Sequence, residues 1–197
     1  MNSEMKQVST TAPVRFRPKL TFYHPNAKGT GSAAQFELHP AHDDTDGSIM
    51  MSIANQLSVG DRRAENPVFP RFDWKNSISV KLDFNDLCAM LQVFRGECEA
   101  INDGKGLYHR TARASTRIVL RHMLEPAAGY SFEFYRSSCD GTEQNSRIFF
   151  NGGEAIGLSE AISGSMAVVS FGIPVVIPRD TSAYEAENRE ARNARAA

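Results

Sequence analysis

The feature that most constrains the fold of this chain is a helix template that occurs twice. Each copy opens with an N-cap residue and an acidic residue three positions later, Asp83 with Asp86 and Asn151 with Glu154. Small or apolar residues follow each cap at offsets of 4, 8, 11 and 15: Leu87, Leu91, Phe94 and Cys98 in the first copy, and Ala155, Ser159, Ile162 and Met166 in the second. Matching caps and offsets indicate an internal duplication.

Four strand-like segments precede each helix. They span residues 19–24, 33–39, 48–56 and 71–82 in the first unit, and 106–111, 115–124, 130–136 and 147–150 in the second. An acidic loop joins the second segment to the third and closes on Asp46-Gly47, a dipeptide typical of tight hairpins. The sequence therefore predicts the α+β class, with two ββββα units that are antiparallel four-stranded sheets, each packed with a helix.

The chain has 197 residues, of which 41% are hydrophobic, so it is long and apolar enough to bury a core. We expect one domain over residues 15–172, with a first unit at 15–103 and a second at 104–172. Residues 1–14 are polar and lack periodicity, and they predict a mobile N-terminal arm. Residues 173–197 contain two early prolines and then a charged stretch without an apolar face, which predicts a C-terminal tail.

The sequence also bears on location. No stretch approaches the roughly 18 to 20 uninterrupted apolar residues that span a bilayer, and the N-terminus lacks the apolar run of a secretory signal. Cys88, Cys98 and Cys139 form no C-x-x-C pair, and an odd number of cysteines does not close a disulfide framework. We expect reduced thiols, with Cys88 and Cys98 on the first helix, in a cytoplasmic or nucleoid-associated protein; an organelle stays open.

The distribution of charge is more informative than its sum. A net charge of −1 argues against a uniformly basic nucleic-acid-binding chain. However, residues 13–36 contain four cations and residues 104–122 contain five, and neither segment contains a carboxylate. Strand alternation places Arg117, Val119 and Arg121 on one face, with Ile118 and Leu120 on the other. This pattern predicts a strand with one basic face and one buried face.

Several short motifs carry a resemblance to a known family. Phe72-Asp73-Trp74-Lys75, followed by a strand and the helix at Asp83, resembles an element of the Whirly family of single-stranded-DNA-binding proteins. Gly96-Glu97-Cys98-Glu99 is similar to the sequence near the end of that helix. Lys28-Gly29 and the later Ala33-Ala34 resemble the family's Lys-Gly-Lys-Ala-Ala-Leu element, with extra residues between them and glutamine in place of leucine.

The resemblance covers roughly residues 19–172. It implies crossed sheets, assembly into a tetramer, and binding of single strands along exposed sheet surfaces and edges. A related fold occurs in mitochondrial guide-RNA-binding proteins, so RNA stays open beside DNA as the ligand.

Single strands are bound without much sequence preference by cations that follow the backbone and aromatic faces on which bases stack. Hydroxyls add donors for phosphate. The predicted nucleic-acid site comprises Arg17, Lys19, Tyr23, Lys28, Thr30, Ser32, Trp74, Lys75, Lys105, Tyr108, Arg110, Arg113, Arg117 and Arg121. Four further aromatic residues are expected in the core instead: Phe22, Phe36, Phe132 and Phe134.

A metal site is one competing interpretation, because five potential ligands are crowded into eight residues. They are His39, His42, Asp43, Asp44 and Asp46. Their spacing matches neither H-E-x-x-H nor a calcium loop, so we interpret the segment as an acidic hairpin loop. If it did bind a cation, calcium or zinc would raise the melting temperature.

The sequence contains no nucleophile elbow, Walker loop or dinucleotide-binding fingerprint, so we expect no enzyme, no catalytic residues and no cofactor. The hypothesis is a homo-oligomeric protein, a tetramer on the resemblance, that binds single-stranded DNA or RNA with low base specificity in DNA maintenance or transcription. The near-neutral charge favours one alternative, an oligomeric protein-interaction scaffold without a nucleic-acid ligand.

Overall fold

The computed structural model describes residues 19–42 and 44–172, which form two antiparallel sheets and two helices. Sheet one contains β1 (Lys19–His24), β2 (Ser32–His39), β3 (Ser48–Ser58), β4 (Arg71–Phe72) and β5 (Ile78–Leu82). Sheet two contains β6 (Leu107–Arg110), β7 (Ala114–Met123), β8 (Gly129–Ser138) and β9 (Glu143–Phe150). Helix α1 (Phe84–Phe94) follows β5, and helix α2 (Gly152–Phe171) follows β9. The predicted α+β fold of two sheet-and-helix units is confirmed, whereas the predicted arm and tail lie outside the described residues.

The fourth strand of sheet one is interrupted, so the prediction of one continuous strand over residues 71–82 was wrong. β4 and β5 both pair with the same edge of β3, at Gln56↔Phe72 and Ile53↔Ile78. Between them, the carboxylate of Asp73 accepts bonds from the backbone and side-chain nitrogens of Asn76, at 3.3 and 2.9 Å. These local bonds close a 3₁₀ turn at Trp74–Asn76 instead of continuing the ladder.

Both helices begin as the repeated template predicts. The Asp83 carboxylate accepts a bond from the Asp86 amide at 3.0 Å, and the Asp86 carboxylate accepts one from the Asp83 amide at 3.1 Å. The side chains of Asn151 and Glu154 accept the same reciprocal pair of bonds from each other's amides, at 3.0 Å each. These reciprocal capping boxes satisfy amides that would otherwise be unpaired at a helix start. Neither helix combines the length and apolarity that a membrane-spanning helix requires, within the described part of the chain.

The helical offsets predict less well beyond the first two turns. α1 ends at Phe94, and Gly96 adopts φ +72° just beyond it, so the placement of Cys98 on the helix was wrong. In α2, the fully buried residues are Ala155, Leu158, Ile162 and Val169, whereas Ser159 is only half-buried. The two helices therefore share the geometry of their caps, but their buried positions differ further along, where each helix packs against different core residues.

A single core joins both sheets and both helices. The ring of Phe150 lies at its centre, 4.9 Å from Phe22 and 5.7 Å from Phe132, measured between ring centroids. Phe36, Phe132 and Phe134 are buried as predicted, and Phe22 packs against the core while partly exposed. Because the inner faces of both sheets are used in this core, the outer faces point away from it.

Polar contacts fix how sheet two crosses sheet one. The hydroxyl of Ser32 donates to the carbonyl of Arg147 at 2.7 Å, and the Ser146 hydroxyl donates to Oδ1 of Asn55 at 2.8 Å. The Asn55 side chain also donates to the carbonyl of Asn145 at 3.4 Å. Side chains of sheet one therefore occupy backbone groups along β9 that would otherwise form an open edge.

Each unit also contacts the helix cap of the other unit. His24 on β1 lies 2.8 Å from the carboxylate of Glu154 at the start of α2. His109 on β6 lies 3.3 Å from the carboxylate of Asp86 at the start of α1. The capping acids therefore tie the two units together as well as starting the helices.

The connection between β2 and β3 turns at a different place from the one predicted. The backbones of His42 and Thr45 exchange bonds at 3.0 and 2.9 Å, so the turn lies there and not at Asp46-Gly47. A Cβ on Gly47 would lie 2.4 Å from the carbonyl oxygen of Val169, so glycine permits close packing against α2. Among the described residues, which omit Asp43, no group of three or more His, Cys, Asp or Glu is arranged to hold a metal.

The capping box provides a test of the duplicated template. Asp83→Ala removes the acceptor for the Asp86 amide and should lower the free energy of unfolding by about 1 kcal/mol. Asn85→Ala alters an exposed residue in the same turn and serves as the control. Equal stability of the two variants in urea denaturation would contradict this role for Asp83.

Ionisation of Asp86 should make stability depend on pH. Burial raises the pKa of Asp86 above its ordinary value of 3.8, although the Asp83 amide and His109 act in the opposite direction. The folded state therefore holds this proton more tightly than the unfolded chain, and stability is lost as the pH rises through the folded pKa. Relative to the wild type, Asp86→Asn should gain stability as the pH rises above 3.8. A difference in unfolding free energy that stays constant with pH would refute this prediction.

Candidate nucleic-acid interface

The outer face of sheet two presents a platform of two tyrosines and an arginine. Tyr108, Arg117 and Tyr135 occupy adjacent strands in one register row, and Asn145 on β9 completes the row. The guanidinium carbon of Arg117 lies 4.7 Å from the centroid of the Tyr135 ring, which is a cation–π contact. Tyr108 is 70% exposed at the edge of the sheet. We call Tyr108, Arg117 and Tyr135 the sheet-two platform; with Asn145 they line a depression of 270 Å³.

Other predicted cations surround this platform. Arg110 on β6 and Arg121 on β7 are exposed. Lys105 and Arg113 are exposed in the segments that flank β6. Within residues 19–42 and 44–172, no carboxylate forms an ion pair with any of these cations or with Arg117. Val119 shares the face of Arg117 as predicted but is buried, because the chain at Gly106 passes closely over it.

A hydrogen bond holds Tyr135, one of the two platform tyrosines, in place. The hydroxyl of Tyr135 donates to Oε2 of Glu133 at 2.7 Å. This bond is the main reason that the pKa of Tyr135 is raised above its ordinary value of 10.0; Arg117 and Arg121 act in the opposite direction. Glu133 therefore anchors the ring beneath Arg117.

The outer face of sheet one carries a second group of aromatic rings. The ring of Tyr23 lies 5.5 Å from Phe72 and 6.4 Å from Trp74, although β2 and β3 separate these residues. Ala33 and Ala54, on the two strands between them, are buried beneath the rings. Small residues at the centre of the face let the rings from its two edges meet. We call Tyr23, Phe72 and Trp74 the sheet-one cluster.

The predicted cations on sheet one differ in their availability. Lys75 and Lys28 are exposed. Lys19, in contrast, lies 3.2 Å from the carboxylate of Glu37 on the neighbouring strand. Arg17 lies outside the described residues. The structure thus brings Tyr23, Trp74 and Lys75 to one region and leaves Lys19 paired.

The glycine-bearing loop between β1 and β2 is folded on itself. The side-chain oxygen of Asn26 accepts bonds from the amides of Lys28 and Thr30, at 3.0 and 3.1 Å. Oε1 of Gln56 accepts a bond from the Gly31 amide at 3.1 Å. These amides are therefore not available as a cradle for phosphate.

The hydroxyls of this loop are also engaged. The Ser32 hydroxyl is bonded to the Arg147 carbonyl, and Oγ1 of Thr30 lies 3.1 Å from the side-chain nitrogen of Asn26. Both residues border a polar crevice of 370 Å³ between the sheets, which Asn145, Arg147 and Phe149 also line. The predicted phosphate donors thus shape a crevice wall.

Sequence reasoning missed Phe72 and Tyr135 as parts of the candidate interface. Tyr135 follows Phe134 on β8, and strand alternation places it opposite that buried ring. The same alternation that found Arg117 was therefore sufficient to find Tyr135. Phe72 stands in the family-like motif, but its contact with Tyr23 depends on strand pairing.

The role of Glu133 can be tested spectroscopically. Glu133→Gln removes the negative charge next to the Tyr135 hydroxyl and should lower the pKa of Tyr135 toward 10.0. Absorbance titration of tyrosinate measures this change, and Tyr135→Phe identifies the contribution of this residue. A titration curve unchanged by Glu133→Gln would show that the carboxylate does not hold the ring.

Comparisons with known proteins bear on the fold. No protein-family model and no curated protein sequence matches the chain. Among solved structures, WHY1 from Arabidopsis thaliana is similar with a TM-score of 0.63 and 13% identity, over 91% of this chain and 94% of that one. WHY3 from Arabidopsis thaliana is similar with a TM-score of 0.61 and 14% identity, over 90% of this chain and 98% of that one. The plant transcriptional regulator PBF-2 is similar with a TM-score of 0.60 and 16% identity, over 79% of this chain and 83% of that one. The chain therefore has a Whirly-like fold.

Proposed function

We propose that this chain is a protein that binds single-stranded nucleic acid. The observation that carries the proposal is the guanidinium of Arg117 stacked on Tyr135, next to the exposed ring of Tyr108. Aromatic rings and guanidinium planes are surfaces on which bases stack, at about 1 to 3 kcal/mol per base for an aromatic ring. Arg110 and Arg121 supply positive charge for the phosphates beside that surface.

The shape of the site favours single strands over duplex. A stacking platform on a sheet face requires bases that are splayed out of their own stack. In a duplex the bases are stacked and paired, so only phosphates and groove edges face outward. The proposed ligand is therefore a single strand whose bases contact the platforms and whose phosphates contact the cations.

We propose low base specificity, because stacking accepts every base. DNA is the favoured ligand on the Whirly resemblance, and RNA is the second. PBF-2 is a plant transcriptional regulator, and we extend to this chain a role in transcription or DNA maintenance, in the nucleoid or the cytoplasm. The proposed interface includes Tyr23, Trp74 and Lys75 of sheet one. The proposal is a binding protein, not an enzyme.

We further propose a homo-oligomer, with the tetramer of the family resemblance as the expected size. Ile156 and Phe171 on α2 are 68% and 88% exposed. Large apolar side chains at the surface favour packing against another copy. The scaffold alternative has its own support, because Val68 and Phe69 in the connection between β3 and β4 are also exposed.

The deciding experiment is fluorescence anisotropy with labelled single-stranded DNA, single-stranded RNA and duplex DNA of equal length. We expect tighter binding to single strands, and we expect it to weaken steeply between low and physiological salt because cations are released from the phosphates. Arg117→Glu with Arg121→Glu should weaken binding by about tenfold or more and reduce the salt dependence.

Arg95→Glu is the control for nonspecific loss of positive charge, since Arg95 is exposed at the end of α1, where its guanidinium donates to the Ser163 hydroxyl of α2 at 3.4 Å, and so lies on the helix side of the molecule. The same loss of affinity per reversed charge in the platform and control variants would contradict this placement of the site. No binding by the wild-type protein at low salt would overturn the function and favour the scaffold.

A further inference from the structure

Three depressions on the surface share lining residues. The depression at the sheet-two platform and the crevice between the sheets are both lined by Asn145. The crevice and a groove beside the β1–β2 turn are both lined by Asn26. The groove has a volume of 270 Å³ and runs along Val59, Arg62 and Pro70 of the β3–β4 connection. Because Asn145 and Asn26 each line two of them, the three depressions adjoin one another along the surface, and we call this series of depressions the path.

Each section of the path pairs a cation with an aromatic or apolar surface. Arg117 accompanies the tyrosines of the platform, and exposed Arg147 accompanies half-buried Phe149 in the crevice. Arg62 accompanies Val59 and Pro70 in the groove. Among residues 19–42 and 44–172, Arg62, Arg117 and Arg147 form no ion pair with a carboxylate. This repeated combination matches the alternation of phosphate and base along a single strand.

The crevice is also suited to the edges of bases. Asn145 is exposed and lines it, and its amide group can both donate and accept hydrogen bonds, whereas the Asn55 amide is already bonded to Ser146 and Asn145. The walls are fixed, because Ser32, Asn55 and Ser146 hold β9 against sheet one. A fixed polar crevice favours the passage of a strand over the edge of β9, because its walls need not be reordered on binding.

We propose that one single strand follows this path, from the sheet-two platform over the β9 edge to the groove at Arg62. The inference rests on the proposed function and extends it: Asn145, Arg147 and Arg62 become contacts for the strand. Each protomer then binds one continuous segment instead of separate short ones. Affinity should therefore increase with strand length until the path is filled.

The test measures affinity and stoichiometry for thymine oligonucleotides from about 4 to about 16 nucleotides, the range seen for single-strand sites. Anisotropy gives affinity, and native mass spectrometry counts oligonucleotides per protomer. The wild type should bind the longest oligonucleotide much more tightly than the shortest, at one per protomer. Arg147→Glu and Arg62→Glu should each weaken binding of the longest about tenfold and weaken binding of the shortest less, because the shortest covers only one section of the path.

Two comparisons make the test specific. Tyr108→Ala with Arg117→Glu should weaken binding at every length, because the platform begins the path. Arg95→Glu should have no effect beyond the general loss of charge, and thermal denaturation checks that each variant remains folded.

Failure of the path differs from failure of the proposed function. The path is wrong, and the strand ends at the platform, if Arg147→Glu and Arg62→Glu have the same effect as Arg95→Glu. The same conclusion follows if oligonucleotides longer than the shortest bind no more tightly than the shortest. Two long oligonucleotides per protomer would also overturn it. If the wild type binds no oligonucleotide at any length, the proposed function itself fails.

Discussion

The packing of Phe150 between the two sheets is the contact on which the rest of the structure depends. Its ring touches Phe22 of sheet one and Phe132 of sheet two, and the next residue, Asn151, caps α2. One buried ring therefore fixes the crossing of the sheets and the start of the second helix together. Because both inner faces are used in this core, polar and cationic side chains are left to the outer faces and edges, where a polyanion can reach them.

The crossing also determines where edges remain. β9 would be an open edge of sheet two, but hydroxyl and amide groups from sheet one bond to its carbonyls. The same contacts create the crevice, because two sheets held at their corner leave a polar gap beside the contact. Ser32 illustrates the consequence: a side chain interpreted from sequence as a phosphate donor holds the wall of the crevice instead.

The features that sequence predicted correctly are those with a short range along the chain. The capping boxes involve residues three positions apart, and alternation along β7 separates Arg117 from buried Ile118 without knowledge of any partner strand. The failures arise where a local interaction overrides the pattern or a distant one decides it. Asp73 breaks an otherwise regular strand with its own side chain. The partner of Ser32 lies 115 residues away, so no periodicity indicates it.

The net charge of −1 is consistent with nucleic-acid binding once the carboxylates are located. Asp83, Asp86 and Glu154 lie at helix N-termini, where the positive end of the dipole offsets part of their charge. Asp61 and Asp73 accept backbone amides within tight turns. These five acids are engaged in local structure, whereas Arg62, Arg117 and Arg147 form no ion pair with a carboxylate among the described residues. A nearly neutral chain can therefore present a positive path, because the sum of charges does not report which of them face a ligand.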